Sequence, residues 1–312
     1  ALALDLLLGD PRRLPHPVRI MGRTALALEA PARRLFRNER LAGIFTALTV
    51  ILGTALASWG LLFASRRTGF PLVEDFLSVW MLYAAIAARD LGVHSLRVLS
   101  ALGAGDIAGA RTAVSRIVGR DTEALDEAGV VRATVESVAE NTVDGVLAPL
   151  FFAVALGPAG AMTFKAISTL DSTFGYRNER YRRFGWASAR MDDAANFIPA
   201  RLSLPFIAMG AVFAGARPGK ALAIGLRDAG KHASPNAGFP EACFAGALGV
   251  RLGGPVVRGG QAAESPFMGD PDEILGRRHI SRANRLMWAV TLSAALVLTG
   301  LRAVVEVMYG VF

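Results

Sequence analysis

Residues 42–65 read AGIFTALTVILGTALASWGLLFAS, with no charged side chain among them. A helix needs about 20 predominantly apolar residues to cross the hydrocarbon of a bilayer, so this run predicts a membrane span. Four further apolar runs lie outward from it. They cover 73–89, which opens on Glu74 and Asp75; 146–170, which is interrupted by Gly157-Pro158 and carries Lys165; 197–216, with Arg201 and two prolines; and 286–309, with Arg302 and Glu306. An ionisable side chain at the bilayer centre costs about 2.5–3.5 kcal/mol, so those charges need an account. Arg302 and Glu306 are spaced to neutralise each other on a helix. Lys165 and Arg201 lie near segment ends and can snorkel to the interface. The expected fold is all-α: a multi-pass integral membrane protein with cytoplasmic helical and loop-rich segments, forming a single membrane-embedded domain over 1–312.

Composition agrees. Apolar residues make up 53% of the 312 and the mean hydropathy is positive, which favours the membrane class over its alternative, a very apolar soluble helical protein. The net charge of +8 comes almost entirely from arginine, the only lysines being Lys165, Lys220 and Lys231. No basic stripe interleaved with aromatics accompanies it, so no nucleic-acid partner is expected. The arginines instead report orientation. Arg12, Arg13, Arg19, Arg23, Arg33, Arg34, Arg37 and Arg40 precede the first long run, whereas the next short loop holds Arg66 and Arg67. The positive-inside bias places residues 10–41 in the cytoplasm, and two returning helices bring 89–145 there as well. Residues 171–196 are also arginine-rich, which a single crossing by 146–170 would contradict; the Gly157-Pro158 break points to a re-entrant hairpin. The first residues, ALALDLLLGD, lack the basic start of a signal peptide and read as part of a longer apolar helix. Cys243 stands alone, so no internal disulfide forms, and the four histidines show no zinc-like spacing.

Between the apolar runs, residues 10–41 read as a Pro- and Arg-rich start followed by an amphipathic helix, with other amphipathic stretches near 92–102 and 107–118. Asp121 or Thr122 is placed to cap the next one, with Glu123 in its first turn. Residues 217–285 are rich in Gly and Pro, and no alternating strand pattern is sustained, so helix and loop are expected throughout.

Three polar constellations carry candidate chemistry. On a helix over 131–144, Glu136, Glu140 and Asp144 fall on one arc of about 80°, opposite Val131, Val135 and Val138. Such a stripe suits an ordinary solvated acidic face, and it equally suits Mg²⁺, which favours carboxylates together with phosphate oxygens. The second constellation runs from Lys165 through Asp171 to Arg177, Asn178, Arg180 and Tyr181. Arginine forks there can grip phosphate or carboxylate, or simply flank a membrane segment. Asp192 and Asp193 follow, able to hold a metal or to pair with Arg190. The third is Lys231, His232, Ser234, Asn236 and Glu241, a sharp turn ahead of a helix whose amides could receive a phosphate. His232 reads there as a structural partner rather than a ligand. No Walker P-loop, nucleophile elbow or dinucleotide fingerprint is present.

Taken in order, these pieces resemble the adenosylcobinamide-phosphate synthase family of cobalamin biosynthesis. The family's opening GDP…PHPV corresponds to Gly9-Asp10-Pro11 and Pro15-His16-Pro17-Val18. Its VGRDT…LDE…VVRATVES…AEN…DGV…PLF run corresponds to residues 118–152. The stretch KAISTLDSTFGYRNERYRRFGWASARMDDAANFIPARL answers the family pattern over 165–202, departing from it at Ser168 and Thr173, where the family carries Asn and Met. RD…KHASPNAGFPEA…AGALG…LGG spans 227–254.

The resemblance implies an enzyme of the cell inner membrane whose active site faces the cytoplasm. The implied reaction joins adenosylcobyric acid, a corrinoid, to an aminopropanol O-phosphate by an amide bond, using ATP and Mg²⁺. For that reaction the residue inventory suggests Glu136, Glu140, Asp171 and Lys165 as catalytic residues, roles that the family name does not itself assign. Arg177, Asn178, Arg180, Tyr181, Lys231, Ser234 and Asn236 would bind substrate, and Glu140, Asp144, Asp192 and Asp193 would hold the metal. Other late cobalamin-pathway enzymes are expected as associates in the bilayer. Two rival classes remain: a membrane transporter, and a non-catalytic scaffold for late corrinoid enzymes.

Overall fold

The computed structural model describes residues 1–9, 16–176 and 178–309. The opening motif's Asp10, Pro11 and Pro15, together with Arg177, lie outside the described residues. The chain runs α1 (Leu2–Leu8), α2 (Pro17–Leu35), α3 (Glu39–Arg67), α4 (Pro71–Ala85), α5 (Ala88–Gly103) and α6 (Ile107–Val114). It continues through α7 (Glu127–Thr142), a π-helical turn at Val143–Leu147, α8 (Ala148–Phe174), α9 (Trp186–Ala195), α10 (Phe197–Phe213) and α11 (Pro218–Asp228). After a 3₁₀ turn at Ala229–Lys231 come α12 (Gly238–Leu248), the strands β1 (Leu252–Arg258) and β2 (Gln261–Met268), and α13 (Arg278–Tyr309).

Local chemistry sets these boundaries. Pro17, Pro71 and Pro218 open α2, α4 and α11, where a missing N–H costs nothing. Asn38 caps α3 by accepting from Arg40 N, and Asp106 caps α6 by accepting from Gly109 N. The cap of α7 is Asp126, whose Oδ1 accepts from Gly129 N at 2.7 Å, and not the expected Asp121 or Thr122. Asp121 is occupied elsewhere: its carboxylate accepts from Gly259 N at 3.1 Å and Gly260 N at 2.7 Å.

Four helical segments, Glu39–Arg67, Pro71–Gly103, Glu127–Phe174 and Arg278–Met308, are long and apolar enough to cross a membrane; α9 with α10 would make a fifth. The protein is therefore helical and multi-pass, as expected. The expected run 197–216 qualifies only as part of that bent pair, because α10 alone has 17 residues. Only 33% of the most apolar stretch of α3 is buried; Leu52, Leu56 and Trp59 face outward, a surface suited to lipid and not to water. α8 breaks at Gly157, where φ of 71° and ψ of −169° leave the helical region just ahead of Pro158. The expected Arg302–Glu306 pair forms at 2.6 Å.

Contacts within the chain gather into two compact units. One comprises residues 1–87 and 148–196, the other 88–147 and 197–312. In the first, α2, α3, α8 and α9 bury a core that includes Met21, Val50, Met162, Leu170, Phe174 and Phe184. Gly43 is required there: a Cβ on it would lie 1.8 Å from the carbonyl oxygen of Phe184.

In the second unit α12 is buried along its whole length apart from Phe239, and it packs on α11 and α10. The expectation of helix and loop alone fails here, because β1 and β2 pair antiparallel with Arg258 opposite Gln261. Gly259 and Gly260, at φ 58° and 75°, supply the two left-handed positions of a tight hairpin turn. α7 clasps this hairpin: Arg132 donates to the carbonyls of Gly253 at 2.8 Å and Pro255 at 2.7 Å.

Candidate functional site

The second unit holds a small polar cavity of about 70 Å³, lined by residues of four segments. α7 contributes Ser137 and Glu140, and the loop before it contributes Ile117 to Arg120. The turn before α12 and α12 itself contribute His232 and Glu241, and the hairpin contributes Arg258 and Ser265. Two hydrogen bonds build the wall next to α7. Ser137 Oγ donates to Ile117 O at 2.6 Å, holding the 117–120 loop against the helix. Glu136 accepts from Gly253 N at 2.7 Å and pairs with Arg120 Nη1 at 2.6 Å, so one carboxylate ties hairpin, helix and loop together.

Glu140, His232 and Glu241 present ligand atoms that all lie within 4.8 Å of one another. Burial pushes the Glu241 carboxyl well above the usual carboxylate range, and the Glu140 and Glu136 carboxylates push it the same way against the opposing charge of Arg120. His232 Nδ1 lies 3.0 Å from Ser234 N and 3.4 Å from Ser234 O, so either neutral tautomer has a backbone partner. The tautomer that donates from Nδ1 to the carbonyl leaves the Nε2 lone pair facing Glu241, 3.7 Å away.

The sequence-derived candidates fall in both units. In the second, Glu136 is a buried strut and Glu140 faces the cavity. Asp144 falls in the π-helical turn, which interrupts the α-helical stripe, and is not among the residues that line the cavity. Lys231 pairs with Asp228 at 2.6 Å. Ser234 Oγ accepts from Asn236 N and Ala237 N, closing the turn ahead of α12, and Asn236 Oδ1 accepts from Arg201 at 3.3 Å.

In the first unit, Lys165 and Asp171 sit on α8, and Asp192 and Asp193 on α9, where the field of Asp171 reaches Asp192. Asp192 also accepts from Asn196 Nδ2 at 3.0 Å. Arg180 grips Glu29 with two hydrogen bonds, at 3.1 and 2.9 Å; Tyr181 Oη donates to the same carboxylate, and Asn178 Oδ1 accepts from Tyr181 N. Burial of Glu29 opposes its charge, but Arg180 and Arg33 outweigh that and hold the carboxyl below its ordinary range. These residues anchor the 178–184 segment to α2.

Sequence reasoning passed over three members of the cavity: Arg120, Arg258 and, as a ligand-type residue, Glu241. Glu241 had a signal. It is the single charged residue in GFPEACFAGAL, a helix otherwise apolar enough to be buried on all sides. Arg258 had none, because its position depends on the hairpin.

The donor set suits a divalent cation. Two carboxylates and one imidazole within ligand reach match the needs of a borderline metal better than those of Mg²⁺, which prefers oxygen throughout. Within this unit the ligand-type residues grouped with Glu140 are Glu241 and His232, a set that includes an imidazole beside the carboxylates.

Comparison with known proteins places the chain. No solved structure matches it at a significant level. It is 47% identical over 297 residues to a protein of Pelobacter propionicus named cobalamin biosynthesis protein CobD, covering 95% of this chain and 92% of the relative. A CobD protein of Geobacter metallireducens is 49% identical over 271 residues, 87% of this chain and 85% of its own. The cobalamin biosynthesis protein CbiB of Salmonella typhimurium is 42% identical over 302 residues, 96% and 94% of the two chains. With the CobD/CbiB family model matching residues 1–287 as well, the chain belongs to the CobD/CbiB protein family.

Proposed function

We propose that this protein acts in cobalamin biosynthesis as a membrane-bound, ATP-dependent ligase of the adenosylcobinamide-phosphate synthase type. It joins the free carboxylate of adenosylcobyric acid to the amine of an aminopropanol O-phosphate. The observation that carries the reading is the near end-to-end match to relatives whose names place them in cobalamin biosynthesis. The cavity supports it with chemistry. A carboxylate and an amine do not condense unaided, so ATP must activate the carboxylate, with phosphate leaving as the amide forms. Arg120 and Arg258 offer cationic forks to the phosphate oxygens of ATP or of the amino-alcohol phosphate. Glu140, His232 and Glu241 would hold a cation that neutralises charge developing on those oxygens, while Mg²⁺ enters with ATP. The arginine-rich segments outside the apolar runs orient this cavity toward the cytoplasm in the cell inner membrane.

The test mixes the detergent-purified chain with adenosylcobyric acid, ATP, Mg²⁺ and aminopropanol phosphate, then reads the condensed corrinoid by mass. Product that requires all four additions is the expected result. A folded chain that yields none would overturn the ligase reading and leave the scaffold reading in its place.

A further inference from the structure

We infer that Glu140, His232 and Glu241 bind one divalent transition-metal cation of the Zn²⁺, Mn²⁺ or Fe²⁺ class, resident in the protein and distinct from the Mg²⁺ that accompanies ATP. The site is built around a buried carboxyl whose close partners are another carboxyl and an imidazole. The Glu241 side chain is only 5% exposed. His232 Nε2 stands 3.7 Å away, and the Glu140 carboxyl shares a side-chain hydrogen bond with it. Two carboxylates buried side by side repel each other, and a cation between them removes that repulsion. Arg120 relieves the pair only in part, because its Nη1 is paired with Glu136 at 2.6 Å while the rest of the guanidinium lines the cavity. Something positive between Glu140 and Glu241 would resolve the conflict.

Geometry and donor chemistry say what it is. Ligand atoms around a first-row cation bound at about 2.0–2.2 Å lie about 3–3.6 Å apart in an open tetrahedral or facial set, and the three here, all within 4.8 Å of one another, close on a cation by rotamer adjustment. Imidazole favours Zn²⁺, Fe²⁺ and Mn²⁺-type ions over Mg²⁺. The Ser234 carbonyl, 3.4 Å from His232 Nδ1, supplies the acceptor that orients a metal-bound imidazole. Three protein ligands leave the cavity side open, which is the arrangement of a working site and not of a closed structural one. Arg120 and Arg258 line that open side, so an oxyanion arriving there completes the coordination.

The inference deepens the ligase reading of the same cavity, but its test reads metal occupancy, so each can fail alone. Chelator-treated, detergent-purified chain is titrated with Zn²⁺ and with Mn²⁺, and bound metal is counted per chain. Folding is checked separately by thermal exposure of Cys243 to a thiol-reactive dye. One equivalent is expected, retained in a large excess of Mg²⁺. Glu140→Gln and Glu241→Gln should each weaken binding at least about tenfold, while His94→Ala, elsewhere in the same unit, leaves it unchanged. If Glu241→Gln fails to fold, the part-buried Glu140 decides through its own variant. Binding untouched by Glu140→Gln, displacement by Mg²⁺, or a folded chain that takes up neither metal would overturn the inference. Metal bound without amide formation would instead defeat the ligase reading and leave the site standing.

Discussion

Replacing Glu136 by Gln separates a strut from a ligand. The Glu136 side chain is 3% exposed and that of Arg120 13%, and they meet at 2.6 Å. Gln keeps the acceptor for Gly253 N, now at 2.7 Å from Oε1, so the hairpin contact can survive. What disappears is the charge opposite Arg120, leaving a guanidinium mostly buried without its partner. Breaking such a pair from one side costs about 3–5 kcal/mol, and the residual access of Arg120 to the cavity argues for the lower end. At about 2–4 °C per kcal/mol for a unit of this size, the melting midpoint should fall by roughly 6–12 °C.

Cys243 provides the assay, being the sole cysteine and fully buried in α12 of the same unit, where burial pushes its thiol up to about 12. A thiol-reactive fluorogenic dye therefore reacts only as this unit opens. Adding Arg120→Met to Glu136→Gln removes both halves of the pair and should recover most of the loss. A single variant that melts within about 1 °C of the parent, or a double variant no better than the single one, would refute the assignment of Glu136 as a strut.

Three further outcomes follow from the same contacts. Gly43→Ala sets a Cβ 1.8 Å from Phe184 O and should cost at least about 2 kcal/mol, whereas Gly53→Ala, with nothing within 4 Å, should be neutral or mildly stabilising; thermal aggregation in detergent compares them. Glu29→Gln weakens the hold of Arg33, Arg180 and Tyr181 on α2, and trypsin should then cut within 180–183 at least about tenfold faster. Asp228 gives a pH signature. Hydrogen bonds from Arg227, then from Lys231 and Gly269 N, hold its carboxyl well below its ordinary 3.8. A depressed folded value means the stabilisation is complete above about pH 4 and drains as pH falls toward the folded value. The Cys243 melt of Asp228→Asn should lie below the parent at pH 7 and approach it below pH 4.

The parts of this fold legible in the sequence were those set by local rules. The span inside α3 follows from an uncharged run, the break in α8 from Gly157-Pro158, and the Arg302–Glu306 pair from helical spacing. What stayed hidden depended on partners distant in the chain. Asp121 looks like a helix cap until the Gly259 and Gly260 amides claim it, and the cap then passes to Asp126. The hairpin escaped because Gly253 and Gly254, at φ 85° and 97°, break the alternation of β1 and put an irregularity in its register. The site was legible only in part: Glu140 stood out by spacing, whereas His232 and Glu241 reach it through a turn whose geometry no local pattern specifies.

The three glutamates around the cavity show why spacing alone could not sort them. Glu136 and Glu140 are one helical turn apart and look equivalent in sequence. Glu136 finds a backbone amide at Oε1 and, at Oε2, an ion pair with Arg120, so its charge has a counter-ion in the protein. Glu140 finds a second carboxylate and an imidazole, and its charge is not answered. Glu241 completes the contrast, since it is the lone charge in a helix whose other residues gain from burial and it contributes nothing to packing that an apolar residue would not do better. A buried carboxylate whose close partners are a second carboxylate and an imidazole is best explained by a cation the protein binds. Glu136 therefore serves stability, and Glu140 and Glu241 serve cation binding, a division that the paired melt and metal titration read independently.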